Sequence, residues 1–121
     1  MTDVGALLAF FGQFATAYPS DNVPDNPAYP YVTVEPRSSF FGDGDVPIQV
    51  QVWDRTESDA AVNSVVRAIG RGIGYGGTSV TCDAGWLWIK RGNPFVVPVT
   101  ITGDDAYKRR LINVSVEYIT E

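Results

Sequence analysis

The hydrophobic period of the chain changes halfway through residues 46–73, VPIQVQVWDRTESDAAVNSVVRAIGRGI. Apolar residues first alternate and place Ile48, Val50 and Val52 on one face, which predicts a strand with one buried side. From Val62 to Ile69 the apolar residues recur every three or four positions, the period of one helical face. The segment therefore predicts a strand followed directly by an amphipathic helix, and the chain mixes both element types.

The end of that helix decides whether the chain holds a phosphate. Five glycines stand in GRGIGYGG, residues 70–77, and three of them fit the dinucleotide-binding spacing G-x-G-x-x-G. That motif requires glycines ahead of a helix, because the N–H groups of a helix N-terminus hold the phosphate. Here the helix comes first, starting near Thr56 and Asp59, whose spacing approaches a capping box. We therefore expect the glycines to stop the helix and turn the chain.

Upstream of this segment the pattern predicts a helix, a loop and a strand. One apolar stripe indicates an amphipathic helix from about residue 3 to residue 18. PSDNVPDNPAYP, residues 19–30, has four prolines and is expected to be an exposed loop. The alternating YVTVE, residues 31–35, predicts a strand joined to the next one through the turn FFGDGD, residues 40–45.

Downstream of Gly77 the chain is strand-like. TSVTC, WLWIKR, FVVPVTI and RRLINVSVEYI are predicted as separate strands, divided by DAG, GNP and TGDDAYK. The last segment alternates with Ile112, Val114, Val116 and Tyr118 on one face. The fold class predicted is α+β, a largely antiparallel sheet with two helices packed on one face, as a single domain over residues 1–121.

Composition limits the chemistry available to the chain. Of 121 residues 45% are apolar and 19% charged, which fits a packed core. The sequence has no histidine and one cysteine, so it holds no Ser–His or Cys–His pair, and we expect no enzyme, no metal and no cofactor. A net charge of −5 argues against broad binding to duplex DNA. The longest apolar run, ALLAFF, is too short to cross a bilayer, and a cytosolic protein without membrane contact is expected.

Three clusters of side chains have both a structural and a functional interpretation. Asp43 with Asp45, and Asp104 with Asp105, could bind a divalent ion, but aspartate and glycine are also good turn formers, which we favour. Trp86 and Trp88 share a strand face and could stack on sugars or bases, although we expect them in the core beneath a helix. The basic cluster of residues 108–110 is expected to be a solvated strand end, neutralised by the aspartates before it.

Four pieces of the sequence carry a resemblance to a known family. They are YPYVTVEP, the strand PIQVQVWDR, the helix TESDAAVNSVVRAIGRGI that follows it, and the closing strand YKRRLINVSVEYITE. In this layout nearly the whole chain resembles the tail terminator, or tail completion, proteins of long-tailed bacteriophages. QVWDR before a helix, and RR ahead of an alternating strand ending in EY, are the most suggestive parts.

The resemblance implies a structural protein without enzyme activity or cofactor. It would form a homo-hexameric ring on the finished tail tube, stop tube growth and present a face to head-completion or connector proteins. It would assemble in the host cytoplasm and remain in the virion at the head-proximal end of the tail. DNA would be only passing cargo, and Asp104 and Asp105 are candidates for acidic residues that repel it from the lumen wall.

A ring built from one chain needs two different surface patches that meet. Phe40, Phe41, Asp43 and Asp45 are the candidates for a contact with a neighbouring subunit or the tail tube. Phe40 and Phe41 could equally be core at a hairpin end. Two other functions stay open, namely another phage neck component, such as a head-closure or head–tail connector protein, and a small ligand-binding α+β domain.

Overall fold

A computed structural model describes residues 1–55, 58–99 and 107–120. These residues form a mixed α+β structure of two helices and a curled six-stranded sheet. In chain order the elements are α1 (Asp3–Phe11), β1 (Thr16–Pro19), β2 (Tyr31–Val34), β3 (Asp45–Arg55), α2 (Ala60–Ile73), β4 (Thr78–Cys82), β5 (Gly85–Val99) and β6 (Tyr107–Thr120). The mixture of helix and strand predicted from the sequence is confirmed.

The sheet is largely antiparallel, as predicted. Its strand order is β1-β2-β3-β6-β5-β4, and β1 with β2 is the one parallel pair among the described strands. The C-terminal strand β6 lies in the middle, paired along its length with β3 and β5. Because β6 is both long and central, its alternating side chains decide which face of the sheet is buried.

The alternation of β3 and β6 produces one dry face, as the sequence predicted. Ile48, Val50 and Val52 of β3 are buried. In the register Ile48 lies opposite the buried Val114 of β6, and Val50 lies opposite the buried Ile112. Successive side chains of a strand point to opposite faces, so the polar residues between them lie on the other side of the sheet.

The first helix is shorter than predicted. The hydroxyl of Thr2 caps it by accepting the N–H of Gly5 at 3.0 Å, and it ends at Phe11 rather than near Tyr18. Residues 16–19 instead form β1, in which Ala17 lies opposite Val32 of β2. The apolar period of this segment was compatible with a helix. Pairing with a strand distant in sequence satisfies the same backbone N–H and C=O groups, however, and Ala17 still packs against the core.

The second helix ends at the glycines, which confirms the predicted helix stop. Gly70 and Gly72 lie inside α2, and Gly74 caps it with φ 70° and ψ −178°, a conformation open essentially to glycine alone. The N–H of Gly74 donates to the carbonyl of Gly70 at 3.0 Å. At the other end Asp59 is the N-cap residue, without a side-chain capping bond, and Thr56 lies outside the described residues.

Strand β5 corrects a second boundary. WLWIKR and FVVPVTI were predicted as separate strands, but residues 86–91 of the first and 95–99 of the second belong to one strand, β5, which pairs with β6 on either side of a register shift between Arg91 and Val96. The amide of Asn113 donates to the carbonyl of Pro94 at 2.9 Å within this irregularity. The GNP segment is thus a bulge in one strand, because a single continuous partner strand holds both halves.

The core unites the two helices with the sheet. Buried residues of α1, such as Leu7 and Phe11, and of α2, such as Val65 and Ile69, belong to one cluster with the buried residues of β2, β3, β5 and β6. In β5 these are Leu87 and Ile89. Burial of this apolar surface is the main source of stability. The packing of both helices on one face of the sheet stays a prediction.

Candidate functional site

Two phenylalanines stand out from the surface of the molecule. Phe40 and Phe41 lie in the β2–β3 loop (residues 35–44) with 65% and 70% of their surface exposed. The alternative that they belong to the core is therefore wrong. Large apolar side chains at this exposure commonly mark a contact surface when several lie together.

The β2–β3 loop holds its shape through Asp43. The carboxylate of Asp43 accepts the hydroxyl of Ser39 at 2.5 Å and the N–H of Phe40 at 3.2 Å. The bond from Ser39 has the larger effect, and together the two bonds lower the pKa of Asp43 below its usual value of 3.8. Gly42 and Gly44 have φ values of 92° and 77°, which suit the tight turn.

The loop is also fastened to the end of β6. The hydroxyl of Tyr118 donates to the carbonyl of Arg37 at 2.6 Å, and the hydroxyl of Thr120 donates to that of Ser39 at 3.1 Å. The N–H of Phe41 donates to the carbonyl of Thr120 at 2.9 Å. Three hydrogen bonds to a central strand therefore fix the loop backbone and hold both phenylalanines outside the core.

Two tryptophans of β5 lie outside the core, which corrects the sequence prediction. Trp86 and Trp88 are 41% and 38% exposed, whereas Leu87 and Ile89 between and after them are buried. The core interpretation failed because both alternating sets of this strand are apolar. Phe41 and Trp86 line one shallow groove, together with Ala84, Gly85, Ile119 and Thr120. We call Phe40, Phe41, Trp86 and Trp88 the aromatic end.

Carboxylates surround the aromatic end. Asp43 lies in the loop itself, Glu117 lies opposite Trp88 in the β5–β6 register, and Asp83 shares a groove with Phe40. Asp83 also contacts the amine of Met1. Aromatic side chains inside a charged rim are a common layout of protein contact surfaces.

Lys90 neutralises part of this charge. Its Nζ lies 2.5 Å from Oδ1 of Asp45 and 3.7 Å from Oε2 of Glu117, and it sits 4.9 Å from the ring centre of Trp88. The hydrogen bond to Asp45 is the main reason why the pKa of Lys90 is raised. Asp45 is therefore tied to Lys90, while Asp43 orders its own loop.

Asp43 and Asp45 have different roles in the structure. Each carboxylate has a different partner, Ser39 for Asp43 and Lys90 for Asp45. Among the described residues no group of three histidine, cysteine, aspartate or glutamate side chains is placed to hold a metal ion. The second predicted acidic pair, Asp104 and Asp105, lies outside the described residues, so its proposed place in a lumen stays a prediction.

The basic cluster of residues 108–110 is partly used inside the protein. The guanidinium of Arg109 lies 4.9 Å from the ring centre of Trp53, and Trp53 stacks on Tyr31 at 6.1 Å. Arg110 forms an ion pair of 3.4 Å with Asp59 at the start of α2. Both contacts join residues distant in sequence. The only sequence signal for these contacts was the alternation of β3, which placed Trp53 on the face of the strand away from its buried residues.

Neither a protein-family model nor a curated protein nor a solved structure matches the chain. In the described part of the chain no helix has the length and apolar character needed to cross a membrane. What the aromatic end does must therefore follow from its own residues.

Proposed function

We propose that the protein is a structural component of a long-tailed bacteriophage, a tail terminator. Copies of the chain would form a hexameric ring that caps the completed tail tube, stops its polymerisation and offers a surface for head attachment. The aromatic end would supply contacts to a neighbouring subunit or the tube. This proposal joins the resemblance in the sequence to one observation, the pair Phe40 and Phe41 held outside the core.

The rigid presentation of the two phenylalanines supports a contact role. When an exposed aromatic side chain docks, its loop loses less entropy if hydrogen bonds already hold the loop backbone in place. Here Tyr118, Thr120 and Asp43 fix the loop in advance. The proposal has two further parts. Both helices would pack on one face of the sheet, and Asp104 and Asp105 would repel DNA in the lumen of the ring.

Tube length and oligomeric state test the proposal together. The purified protein is examined over a concentration series by mass photometry and negative-stain imaging, alone and with polymerising tail tube protein. We expect a six-membered ring with a central hole, and tubes that stop growing when the protein is added. Rings that bind connector or portal proteins and leave tube growth unchanged would instead favour a head-closure or connector role.

One observation favours a different class of function. The exposed Trp86 and Trp88 lie two residues apart on one strand face, an arrangement that can stack on sugar rings. A ligand-binding domain would therefore bind glycans or nucleotides through this pair. A binding screen with a Trp86→Ala variant as control decides this, and saturable binding lost in the variant would replace the assembly role.

A further inference from the structure

The exposed side of α2 is basic. Arg67 and Arg71 lie one helical turn apart, both exposed, and α2 contains no acidic residue. In the described part of the chain neither makes an ion pair. Like charges at this spacing destabilise a helix when no partner offsets them. We call Arg67, Arg71 and their neighbours Asn63, Ser64 and Ala68 on the same side of α2 the basic face.

The aromatic end carries the opposite charge. Five carboxylates lie in or beside it, namely Asp3, Asp43, Asp45, Asp83 and Glu117. Among the described residues, Lys90 pairs with Asp45 and Glu117, the amine of Met1 pairs with Asp83, and Arg37 of the same loop pairs with Glu35. The surface is thus aromatic in the middle and negative around it. A guanidinium brought to such a surface would find both carboxylates and ring faces.

The basic face and the two tryptophans of the aromatic end lie on opposite sides of strand β5. Val65 and Ile69 of α2 are buried in the core with Leu87 of β5. Trp86 and Trp88 alternate with Leu87 along the strand and lie on its other face. In one molecule the basic face therefore does not reach the two tryptophans.

We propose that the aromatic end of one copy docks on the basic face of α2 of a second copy. Arg67 and Arg71 would lie among the carboxylates and over the aromatic rings of the neighbour. This inference rests on the proposed function, since it assigns the two patches of the ring contact.

A second copy is the partner that fits because the chain carries both complementary surfaces. Two different patches make a head-to-tail contact, which repeats from copy to copy and closes into a ring when the rotation allows. Opposite charges orient the approach of the two copies. Salt screens this attraction, and at physiological ionic strength the Debye length is about 8 Å.

Charge reversal at each surface tests the inference. The first variant is Arg67→Glu with Arg71→Glu, and the second is Asp83→Arg with Glu117→Arg. A control, Asp21→Arg with Asp25→Arg, makes the same charge change as the second variant in the exposed Pro-rich loop. Sedimentation velocity gives the association constant at low and physiological salt, and circular dichroism confirms that each variant is folded.

We expect each variant alone to associate about tenfold or more weakly than the unaltered protein, and the control to associate normally. An equimolar mixture of the two variants should recover the association. The reversed surfaces are then complementary to each other, and the two unaltered surfaces still match. Recovery cannot arise from misfolding, since two misfolded proteins would not repair each other.

The outcomes separate the inference from the proposed function. If the unaltered protein forms rings and either variant forms them equally well, the assigned surfaces are wrong and the ring stands. If both variants fail but their mixture does not recover, the pairing of these two surfaces is wrong. If the unaltered protein stays monomeric at every concentration and salt, with and without the tail tube, both the inference and the ring are overturned.

Discussion

The hydroxyl of Tyr118, on the central strand, donates a 2.6 Å hydrogen bond to the backbone carbonyl of Arg37, in the loop that presents the two exposed phenylalanines. Tyr118 itself is buried. The core residue and the surface loop are 81 positions apart in sequence. The shape of the aromatic end therefore depends on the packing of β6, and a change inside the core should be felt at the surface.

Tyr118→Phe should loosen the loop without unfolding the protein. The carbonyl of Arg37 loses its donor, and we expect a loss of about 1 kcal/mol in the free energy of unfolding. The N–H of Phe41 should exchange faster with solvent, since its bond to Thr120 lies in the same anchor. Urea unfolding and amide hydrogen exchange measure both effects. Tyr75→Phe, at a fully exposed tyrosine, is the control, and an equal response of the two variants would contradict this role of Tyr118.

Alkaline pH should act on the same residue. Burial raises the pKa of the Tyr118 phenol to about 12, from 10.0. Because the folded-state pKa is raised, the contribution of Tyr118 to stability is complete below about pH 10 and is lost as the pH rises toward about 12. Lys90, whose pKa is also raised, acts in the same direction. The unfolding free energy of Tyr118→Phe should therefore fall less over this range than that of the unaltered protein, and parallel curves would argue against the effect.

Adjacent glycines give a sharp test of the turn after α2. Gly77 has φ 86°, and a Cβ there would lie 2.5 Å from Nε1 of Trp88 and 2.7 Å from the carbonyl oxygen of Ile89. Gly77→Ala should cost about 2 kcal/mol, through backbone strain and displacement of the indole. The indole Nε1 of Trp88 should lose its 3.0 Å hydrogen bond to the carbonyl of Gly76, and tryptophan fluorescence reports this loss. Gly76→Ala is the matched control because nothing lies within 4 Å of its added Cβ. Similar losses in both variants would show that the contact with Trp88 is unimportant.

The sequence predicted what local periodicity decides. The buried sets of β3, β6 and α2 follow directly from periods of two and of three to four, because each element has one dry side. The end of α1 was wrong because Ala17 pairs with Val32, and that pairing depends on a strand that the local pattern cannot show. The division of β5 failed for the same reason, since β6 spans both halves.

The candidate site was harder to predict than the fold. Trp86 and Trp88 alternate with Leu87 and Ile89, so hydrophobicity alone does not say which pair is buried. One signal was present, because Lys90 shares the face of the tryptophans, and a lysine favours the solvated side. For Phe40 and Phe41 no local signal existed, because their exposure depends on anchoring by β6.

Phe40→Ser with Phe41→Ser tests the contact role of the aromatic end directly. The two side chains contribute little to the core at 65% and 70% exposure, so the free energy of unfolding should change by less than about 1 kcal/mol. Association of the copies should be lost, because exposed aromatic anchors dominate the energy of contact surfaces. Mass photometry measures the association and urea unfolding the stability. Tyr75→Ser removes an even more exposed aromatic side chain at the turn after α2 and should leave association unchanged. A double variant that unfolds would return both phenylalanines to a structural role, and one that stays folded and still assembles would remove the aromatic end from the contact.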